Sequence, residues 1–184
     1  MNLVHRYYCR SAWWGHHLAR LLPWATEGLP LAGARVLELG SGPGRTTDWL
    51  ASRVGHLTAL EYDSADARAL AARRPDVDVI HGDATAMPFP DGDFDVVVCF
   101  TMLHHIPTPA AQDRLFAEAR RVLRSGGSFA GSDSRWGPLF AVAHLGDTLT
   151  LVDPTALSAR LKTASFTHID RQVAGRAFRF RARA

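Results

Sequence analysis

The sequence contains little cysteine, almost no lysine and no long apolar segment. Its two cysteines, Cys9 and Cys99, lie far apart, which excludes a disulfide framework and a metal site of the Cys-x-x-Cys type. With so few thiols to pair, a reducing compartment is expected, and we therefore expect a cytoplasmic protein. No apolar run approaches the roughly 18 residues that a membrane-spanning helix requires, so no membrane partner is expected.

Positive charge is carried almost wholly by arginine, because Lys162 is the only lysine. The net charge is +3, a mild excess that does not by itself indicate binding to nucleic acid. A length of 184 residues, of which 47% are hydrophobic, predicts one soluble domain with a sizeable core.

The most informative stretch is Val36–Thr47, which reads VLELGSGPGRTT. It predicts a buried strand, a turn containing Gly40, Gly42 and Gly44, and then the start of a helix. This order is typical of phosphate- and nucleotide-binding sites. The dinucleotide fingerprint requires a small third residue where this chain has Arg45, and the Gly-Lys-Ser/Thr of a P-loop is absent.

Predicted strands and helices alternate along the next hundred residues. Strands are predicted at Arg35–Leu39, Leu57–Leu60, Val77–His81, Phe94–Phe100 and Ser128–Gly131. Helices are predicted at Thr46–Arg53, at Ala65–Arg74 and from Pro109 to about Leu123. Such alternation predicts a parallel, doubly wound sheet with helices on both faces.

The two ends of the chain follow a different pattern. Met1–Ala25 is predicted to be a helix with one apolar stripe, which Pro23 ends or kinks. At the other end, a helix from Pro154 precedes predicted strands at His168–Val173 and Arg176–Arg183. The two residues between these strands are too few for a parallel crossover, so the strands are predicted to pair antiparallel.

The motif Glu-x-Gly-x-Gly-x-Gly, which begins at Glu38, resembles the first motif of class I S-adenosylmethionine (SAM)-dependent methyltransferases. The resemblance continues through Gly82-Asp83-Ala84, through Phe94–Ile106 (FDVVVCFTMLHHI) and through the stretch that ends at Gly127. The resemblance covers about Val36–Ser132, and the motifs taken together are similar to those of the small-molecule, type 11-like branch of the family. The resemblance implies a single-domain α/β, Rossmann-like sheet, mostly parallel, with a C-terminal antiparallel hairpin and strand order 3-2-1-4-5-7-6.

The resemblance also divides the chain into functional parts. Residues 1–34 would form a helical cap and linker, residues 35–132 the SAM-binding core, and residues 133–184 the acceptor-side segment and terminal hairpin. All three parts are expected to belong to one methyltransferase domain.

SAM is the cofactor that the resemblance implies, with S-adenosyl-L-homocysteine as the product. The glycine turn would hold the methionine end of SAM, and Glu38 would attract its ammonium group. The predicted cofactor-binding residues are Glu38, Gly40, Ser41, Gly42, Gly44, Thr46, Glu61, Tyr62, Asp83, Ala84, Phe100, Thr101 and Leu103.

Four of these residues have a specific predicted role beyond the glycine turn. Glu61, at the end of the second predicted strand, would accept hydrogen bonds from the ribose hydroxyls, although a solvated carboxylate is the alternative. Asp83 would accept from the adenine amino group, and the Ala84 N–H would donate to a ring nitrogen. Tyr62 would either cover the adenine or pack on the protein.

Methyl transfer from a sulfonium requires an in-line approach of the nucleophile, so much of the catalysis lies in alignment. His105 follows the fourth predicted strand and is the predicted general base, because histidine titrates near neutral pH. The alternative is that the His-His pair is a structural feature of the turn. The predicted acceptor-binding residues are Tyr8, Trp13, His104, Trp136 and His144.

No metal site is predicted. His5, Cys9 and His16 share one flank of the first predicted helix, but their spacing matches no known ligand motif. The predicted function is therefore a SAM-dependent methyltransferase (EC 2.1.1.-) that methylates an oxygen, nitrogen or carbon nucleophile of a small molecule. One alternative is an RNA or protein methyltransferase that uses the basic C-terminal end, for which a charged strand edge that discourages aggregation is the simpler interpretation. This basic end consists of Arg171, Arg176, Arg179, Arg181 and Arg183. The other alternative is a non-catalytic SAM-binding module. The acceptor and the oligomeric state are left open.

Overall fold

A seven-stranded sheet forms the centre of the fold in this computed structural model, which describes residue 7 and residues 11–184. Its strands are β1 (Arg35–Leu39), β2 (His56–Glu61), β3 (Asp78–His81), β4 (Phe94–Phe100), β5 (Leu123–Ser134), β6 (Thr167–Ala174) and β7 (Ala177–Arg183). Their order is β3-β2-β1-β4-β5-β7-β6, with β1 to β5 parallel and β7 antiparallel to both of its neighbours. The predicted fold class and strand order are confirmed.

Helices cover both faces of this sheet. The described helices are α1 (Ala12–Ala25), α2 (Arg45–Ala51), α3 (Ser64–Arg73), α4 (Pro109–Val122), α5 (Pro138–Ala143) and α6 (Pro154–Thr163). A short 3-10 turn, Leu103–His105, follows β4. None of the described helices is both long enough and apolar enough to cross a bilayer.

The central strand β4 shows why the sheet is covered on both faces. Val97 and Cys99 belong to the core on one face, whereas Val96 and Val98 belong to the core on the other. Successive side chains of a strand point to opposite faces, so an unbroken apolar run needs helices on both sides. This arrangement leaves the ends of the strands as the places where polar chemistry can collect.

Side-chain caps fix where several helices begin. The Asp63 carboxylate accepts from the backbone N–H groups of Ala65 and Asp66 at the start of α3. Thr108 caps α4 in the same way and is followed by proline at the first helical position, as predicted. These caps determine the paths of the loops that leave the carboxyl ends of the strands.

The strand β5 is longer than the sequence predicted. The prediction placed it at Ser128–Gly131 and treated the preceding glycines as a helix stop, but the strand begins at Leu123, directly after α4. The glycines are accommodated where the pairing with β4 shifts register, and the Gly126 N–H donates to the carbonyl of Ala184. Pairing with the end of the chain therefore overrides the local preference of Gly-Gly for a loop.

The first helix confirms part of the N-terminal prediction. Ser11 caps α1, and Leu18, Leu21 and Ala25 of the predicted stripe are buried, but Tyr7 is 82% exposed and does not belong to the core. Pro23 lies in the last turn, and the helix ends two residues later. The rest of the predicted helix, residues 1–6 and 8–10, lies outside the described residues.

Candidate active site

A cleft of about 1180 Å³ opens at the carboxyl ends of the parallel strands. The loops that follow β1, β2, β3 and β4 form its floor, and α1 and residues 134–148 contribute its walls. Chain connections run in opposite directions from β1 and β4, and open α/β sheets bind their ligands at such a switch point. The volume slightly exceeds the 300–1,000 Å³ typical of a pocket for one small ligand, so there is room for two reactants.

The glycine turn after β1 has a backbone that other residues adopt only with strain. Gly40 has φ +72°, and a Cβ at this position would lie 3.0–3.2 Å from side-chain atoms of Met102. Gly44 has φ +84° and stands at the N-cap of α2. A Cβ at Gly44 would press on Leu70 and Arg73 of α3. The turn therefore requires glycine at both positions, and its uncovered backbone allows the close approach of a ligand.

Glu38 lies beneath this turn and does not line the cleft. Its carboxylate is 1% exposed and accepts hydrogen bonds from the hydroxyls of Thr46 and Thr47 on α2. Burial raises the pKa of Glu38 to about 7, against the effect of the two hydroxyl donors. In the structure this residue ties β1 to α2, and its contact with the SAM ammonium group stays a prediction.

Glu61 lies at the mouth of the turn and lines the cleft. One carboxylate oxygen accepts from the Gly42 N–H at 2.7 Å, and the other accepts from the Asp63 N–H at 2.9 Å. The carboxylate is thus positioned by the loops that follow β1 and β2. This placement is compatible with ribose binding, which stays a prediction.

Residues after β3 complete the predicted adenine end. Asp83 is exposed and accepts from the Thr85 N–H at 2.7 Å, and Ala84 beside it is buried. Both line the cleft, and Tyr62 lies at its rim with 75% of its surface exposed. The structure therefore brings both predicted carboxylates, Glu61 and Asp83, to the same half of the cleft as the glycine turn.

The backbone is strained where β4 ends. Thr101 has φ +53°, an uncommon conformation for a β-branched residue, and its N–H donates to the Ser132 carbonyl at 2.7 Å. Such strain persists where neighbouring structure imposes it, and it is common at functional sites. Thr101 and the buried Phe100 line the cleft between its two halves, whereas Leu103 is fully buried behind it.

Three histidines meet in the other half of the cleft. Ring centroids are 4.2 Å apart for His104 and His105, 5.0 Å for His104 and His144, and 5.4 Å for His105 and His144. Asp133, at the end of β5, accepts from the His104 backbone N–H at 3.0 Å and contacts its Nδ1 at 2.5 Å. Burial lowers the pKa of His144, whose Nδ1 lies 2.7 Å from the Phe140 carbonyl.

The predicted aromatic residues lie at the outer edge of this half. Trp13 is 64% exposed and lines the cleft, and its ring stacks on His17. Trp136 is 65% exposed and does not contribute to the lining, and Tyr8 lies outside the described residues.

Two arginines that line the cleft were not predicted. Arg114 and Arg135 line the cleft, although no motif marks either residue. Arg176 was predicted to belong to a basic strand edge, but it lines the cleft as well. The only clue in the sequence is that Arg135 directly follows a strand whose end faces the site.

A family profile described as a methyltransferase domain matches residues 37–131. The chain belongs to this methyltransferase family. The match contains the glycine turn, Glu61, Asp83 and both histidines of the 3-10 turn. It therefore covers the half of the cleft that holds the two carboxylates, and the floor of the half that holds the histidines.

Curated relatives of this methyltransferase domain extend beyond the matched region. A probable SAM-dependent methyltransferase of Mycolicibacterium smegmatis is 40% identical over 98 residues, which cover 53% of this chain and 37% of that protein. A ubiquinone biosynthesis O-methyltransferase of Albidiferax ferrireducens is 34% identical over 132 residues, or 68% of this chain and 51% of that protein. The chain thus spans about a third to a half of the length of these relatives.

Solved structures share the fold of the methyltransferase domain. The PH0226 protein of Pyrococcus horikoshii aligns with a TM-score of 0.80 at 18% identity, covering 95% of this chain and 93% of that one. The family match and the curated relatives confirm three predictions from the sequence, namely the family, its enzymatic class and SAM as its cofactor. The solved structure confirms the fold alone.

Proposed function

We propose that the protein transfers the methyl group of SAM to an oxygen, nitrogen or carbon nucleophile of a small molecule in the cytoplasm. The observation that carries this proposal is the division of one cleft into two chemically different halves. The donor half contains the glycine turn and the carboxylates of Glu61 and Asp83, and the acceptor half contains three histidines. We also propose that the chain divides into a cap, a core and an acceptor-side segment, because residues of all three line the cleft.

SAM, when bound, supplies an electrophilic methyl group whose bond to sulfur breaks as the bond to the nucleophile forms. Glu61 would orient the donor through its ribose, because its carboxylate is held at both oxygens by backbone N–H groups. The strained backbone at Thr101 would separate donor from acceptor and limit their relative movement. The burial of His104 and His144 would keep bulk water from the reacting atoms.

Oxygen is the favoured acceptor atom. The relative from Albidiferax ferrireducens is named as an O-methyltransferase, and the match to it extends over 68% of this chain. A hydroxyl group must lose its proton on methylation, and the role of His105 as general base stays a prediction. His105 is half-buried and lines the cleft, so an acceptor in this half would lie beside it.

The arginines of the C-terminal strand support a small-molecule acceptor over RNA. Arg179 bonds to the carbonyl of Trp24 and pairs with Glu27 at 2.8 Å, and Arg181 donates to the carbonyl of Glu27. Arg183 donates to the Ser128 hydroxyl. Three of the five arginines that formed the predicted basic end are therefore used to hold the linker and the sheet, which weakens the case for a phosphate-binding surface.

An acceptor screen tests the proposal. The chain is incubated with SAM and a panel of small molecules that carry phenol, catechol, amine and enol groups, and formation of S-adenosylhomocysteine is measured. We expect turnover with at least one hydroxylated acceptor. Tight binding of SAM without turnover of any acceptor, in a panel that also contains RNA and protein extracts, would favour the non-catalytic module instead.

Glu61→Gln links this activity to the donor half of the cleft. Loss of charged hydrogen bonds worth about 1.5–3 kcal/mol is expected to weaken SAM binding by roughly 10- to 150-fold. The matched control is Glu27→Gln, which removes an exposed carboxylate on the linker and should leave SAM affinity unchanged. Equal SAM affinity in both variants would show that Glu61 does not bind the donor.

A further inference from the structure

The histidine cluster, defined as His104, His105 and His144, brings three imidazole rings together, whereas a general base requires only one. One ring nitrogen from each residue can be chosen so that all three lie within 4.8 Å of one another. The cluster joins the turn after β4 to the C-cap of α5, two segments about 40 positions apart in the sequence.

His104 presents a buried nitrogen toward this cluster. Its side chain is 2% exposed, and its Nε2 has no hydrogen-bond partner among the residues that the structure describes. The other ring nitrogen, Nδ1, lies 2.5 Å from the Asp133 carboxylate, so Nδ1 carries a proton and Nε2 of the neutral ring carries a lone pair. An unsatisfied buried acceptor is costly unless a ligand completes it.

His144 is oriented in the same way by a different group. Its Nδ1 lies 2.7 Å from the Phe140 carbonyl, which can only accept, so Nδ1 must donate. The lone pair of the neutral ring is therefore on Nε2 here too.

A carboxylate or a carbonyl that receives the second N–H of an imidazole is the usual support of a metal-binding histidine. Two of the three histidines have this support, one of each kind. In tetrahedral Zn²⁺ sites the ligand nitrogens are about 3.4 Å apart. The ring nitrogens of this cluster lie within 4.8 Å of one another, so their separations must shorten by about 1.4 Å or less on binding. His105 is half-buried whereas His104 and His144 are buried, so we expect the His105 side chain to move most.

We propose that His104, His105 and His144 bind one divalent transition-metal ion, with Zn²⁺ as the reference ion, and that its open coordination position faces the acceptor. Imidazole is the preferred ligand of Zn²⁺, Ni²⁺ and Cu²⁺, and three protein ligands with an open position are typical of reactive Zn²⁺ sites. With the metal bound, His105 would be a ligand and not the general base. The metal would instead lower the pKa of an acceptor hydroxyl, so that its proton passes to water before methylation. This role rests on the proposed function, whereas metal binding itself does not.

Isothermal titration of the untagged chain, stripped with a chelator, tests the site with ZnCl₂ alone. We expect one Zn²⁺ per chain, and an affinity loss of more than roughly 100-fold in His104→Ala, in His105→Ala and in His144→Ala. That loss should exceed the 10- to 100-fold expected for Asp133→Asn, which removes no ligand but weakens the support of the His104 ring. Substitution with Co²⁺ should give the intense visible absorption of a four-coordinate nitrogen site, and each variant should weaken it.

Two controls separate this cluster from other histidines. His56→Ala removes an exposed histidine at the opposite end of β2 and should bind Zn²⁺ as the unmodified chain does. The double variant Cys9→Ser with His16→Ala removes the N-terminal flank and should also bind normally. Loss of binding in the double variant but not in the cluster variants would assign the metal to that flank and overturn the proposal.

Binding of S-adenosylhomocysteine by the stripped chain and by each variant shows that the fold is intact and tests the donor site independently of the metal. His105→Ala is the variant least expected to disturb folding, because its side chain is only half-buried. Absence of Zn²⁺ binding in a chain that binds S-adenosylhomocysteine would overturn the metal site and leave the proposed function standing. Undiminished Zn²⁺ binding in all three cluster variants would also overturn the metal site.

Discussion

The carboxyl group of Glu38 is buried beneath the glycine turn, where ionisation is costly. Burial raises its pKa from 4.5 to about 7, although the hydroxyls of Thr46 and Thr47 oppose the shift by bonding to the anion. Between pH 4.5 and 7 the native protein therefore holds a proton that the unfolded chain has released. Because the native state binds more protons in this window, stability falls as the pH rises through it.

Glu38→Gln cannot ionise and should not show this fall. We expect the variant to gain stability relative to the unmodified chain between pH 5 and pH 7.5, on the order of 3 kcal/mol, from a shift of about 2.5 pKa units. Urea unfolding at several pH values measures the difference. Glu27→Gln, which removes an exposed carboxylate, should give a curve parallel to that of the unmodified chain, and a parallel curve for Glu38→Gln would contradict the raised pKa.

The three histidines show where residue-level prediction reached its limit. His104 and His105 could be placed at the acceptor side because they follow a strand whose end faces the cleft. Their contact with His144 depends on the path of residues 134–148, and a six-residue helix in that segment leaves too short an apolar pattern to predict. The bond between Asp133 and His104 joins β5 to the turn after β4, and no local rule relates those positions.

At the scale of elements, buried parallel strands were the most predictable part of the fold. The bounds of β1 and β4 agree with the prediction, because a strand covered on both faces is mostly apolar, interrupted here only by Glu38 in the interior of β1 and by Asp95 near the start of β4. The predicted start of β5 was wrong, because Gly126 and Gly127 form backbone hydrogen bonds with Ala184, a residue distant in the sequence. The antiparallel hairpin was predictable because a two-residue link permits no other pairing.

The glycine turn between β1 and α2 offers a matched pair of substitutions. Gly40 and Gly33 have nearly the same φ, +72° and +73°, but a Cβ at Gly40 would press on Met102 whereas a Cβ at Gly33 would meet nothing within 4 Å. Gly33→Ala should therefore cost only the left-handed strain, roughly 1–2 kcal/mol, and leave SAM affinity unchanged. Gly40→Ala should cost more and weaken SAM binding as well, because Met102 must move into the cleft.

Urea unfolding and a SAM titration of both variants measure these effects. The difference between the two losses of stability isolates the contact with Met102, since the backbone term is common to both. Equal losses, with equal SAM affinity, would show that Met102 moves aside freely and that the turn tolerates a side chain at Gly40.

At the scale of the molecule, the strand order decides where the ligand binds, and the residues at the strand ends decide which ligand it is. An acid at the end of β2 is shared with dinucleotide-binding folds, so Glu61 alone does not select SAM. We expect Arg45, in place of a small residue, and Asp83 after β3 to provide that selection. The antiparallel β7 is a mark of the methyltransferase fold and does not line the cleft. The donor half of the cleft should therefore distinguish S-adenosylhomocysteine from NAD.

Thermal unfolding measures this distinction on the whole molecule. A ligand that binds only the native state at 100 times its dissociation constant adds about 2.7 kcal/mol, which for a domain of this size raises the midpoint by about 5–10 °C. We expect S-adenosylhomocysteine to produce this shift, NAD at the same concentration to produce none, and Glu61→Gln to reduce the shift at fixed ligand concentration. A shift with NAD and none with S-adenosylhomocysteine would contradict the proposed donor site. Because both ligands contain adenine and ribose, such a result would mean that the turn after β1 binds the pyrophosphate of NAD.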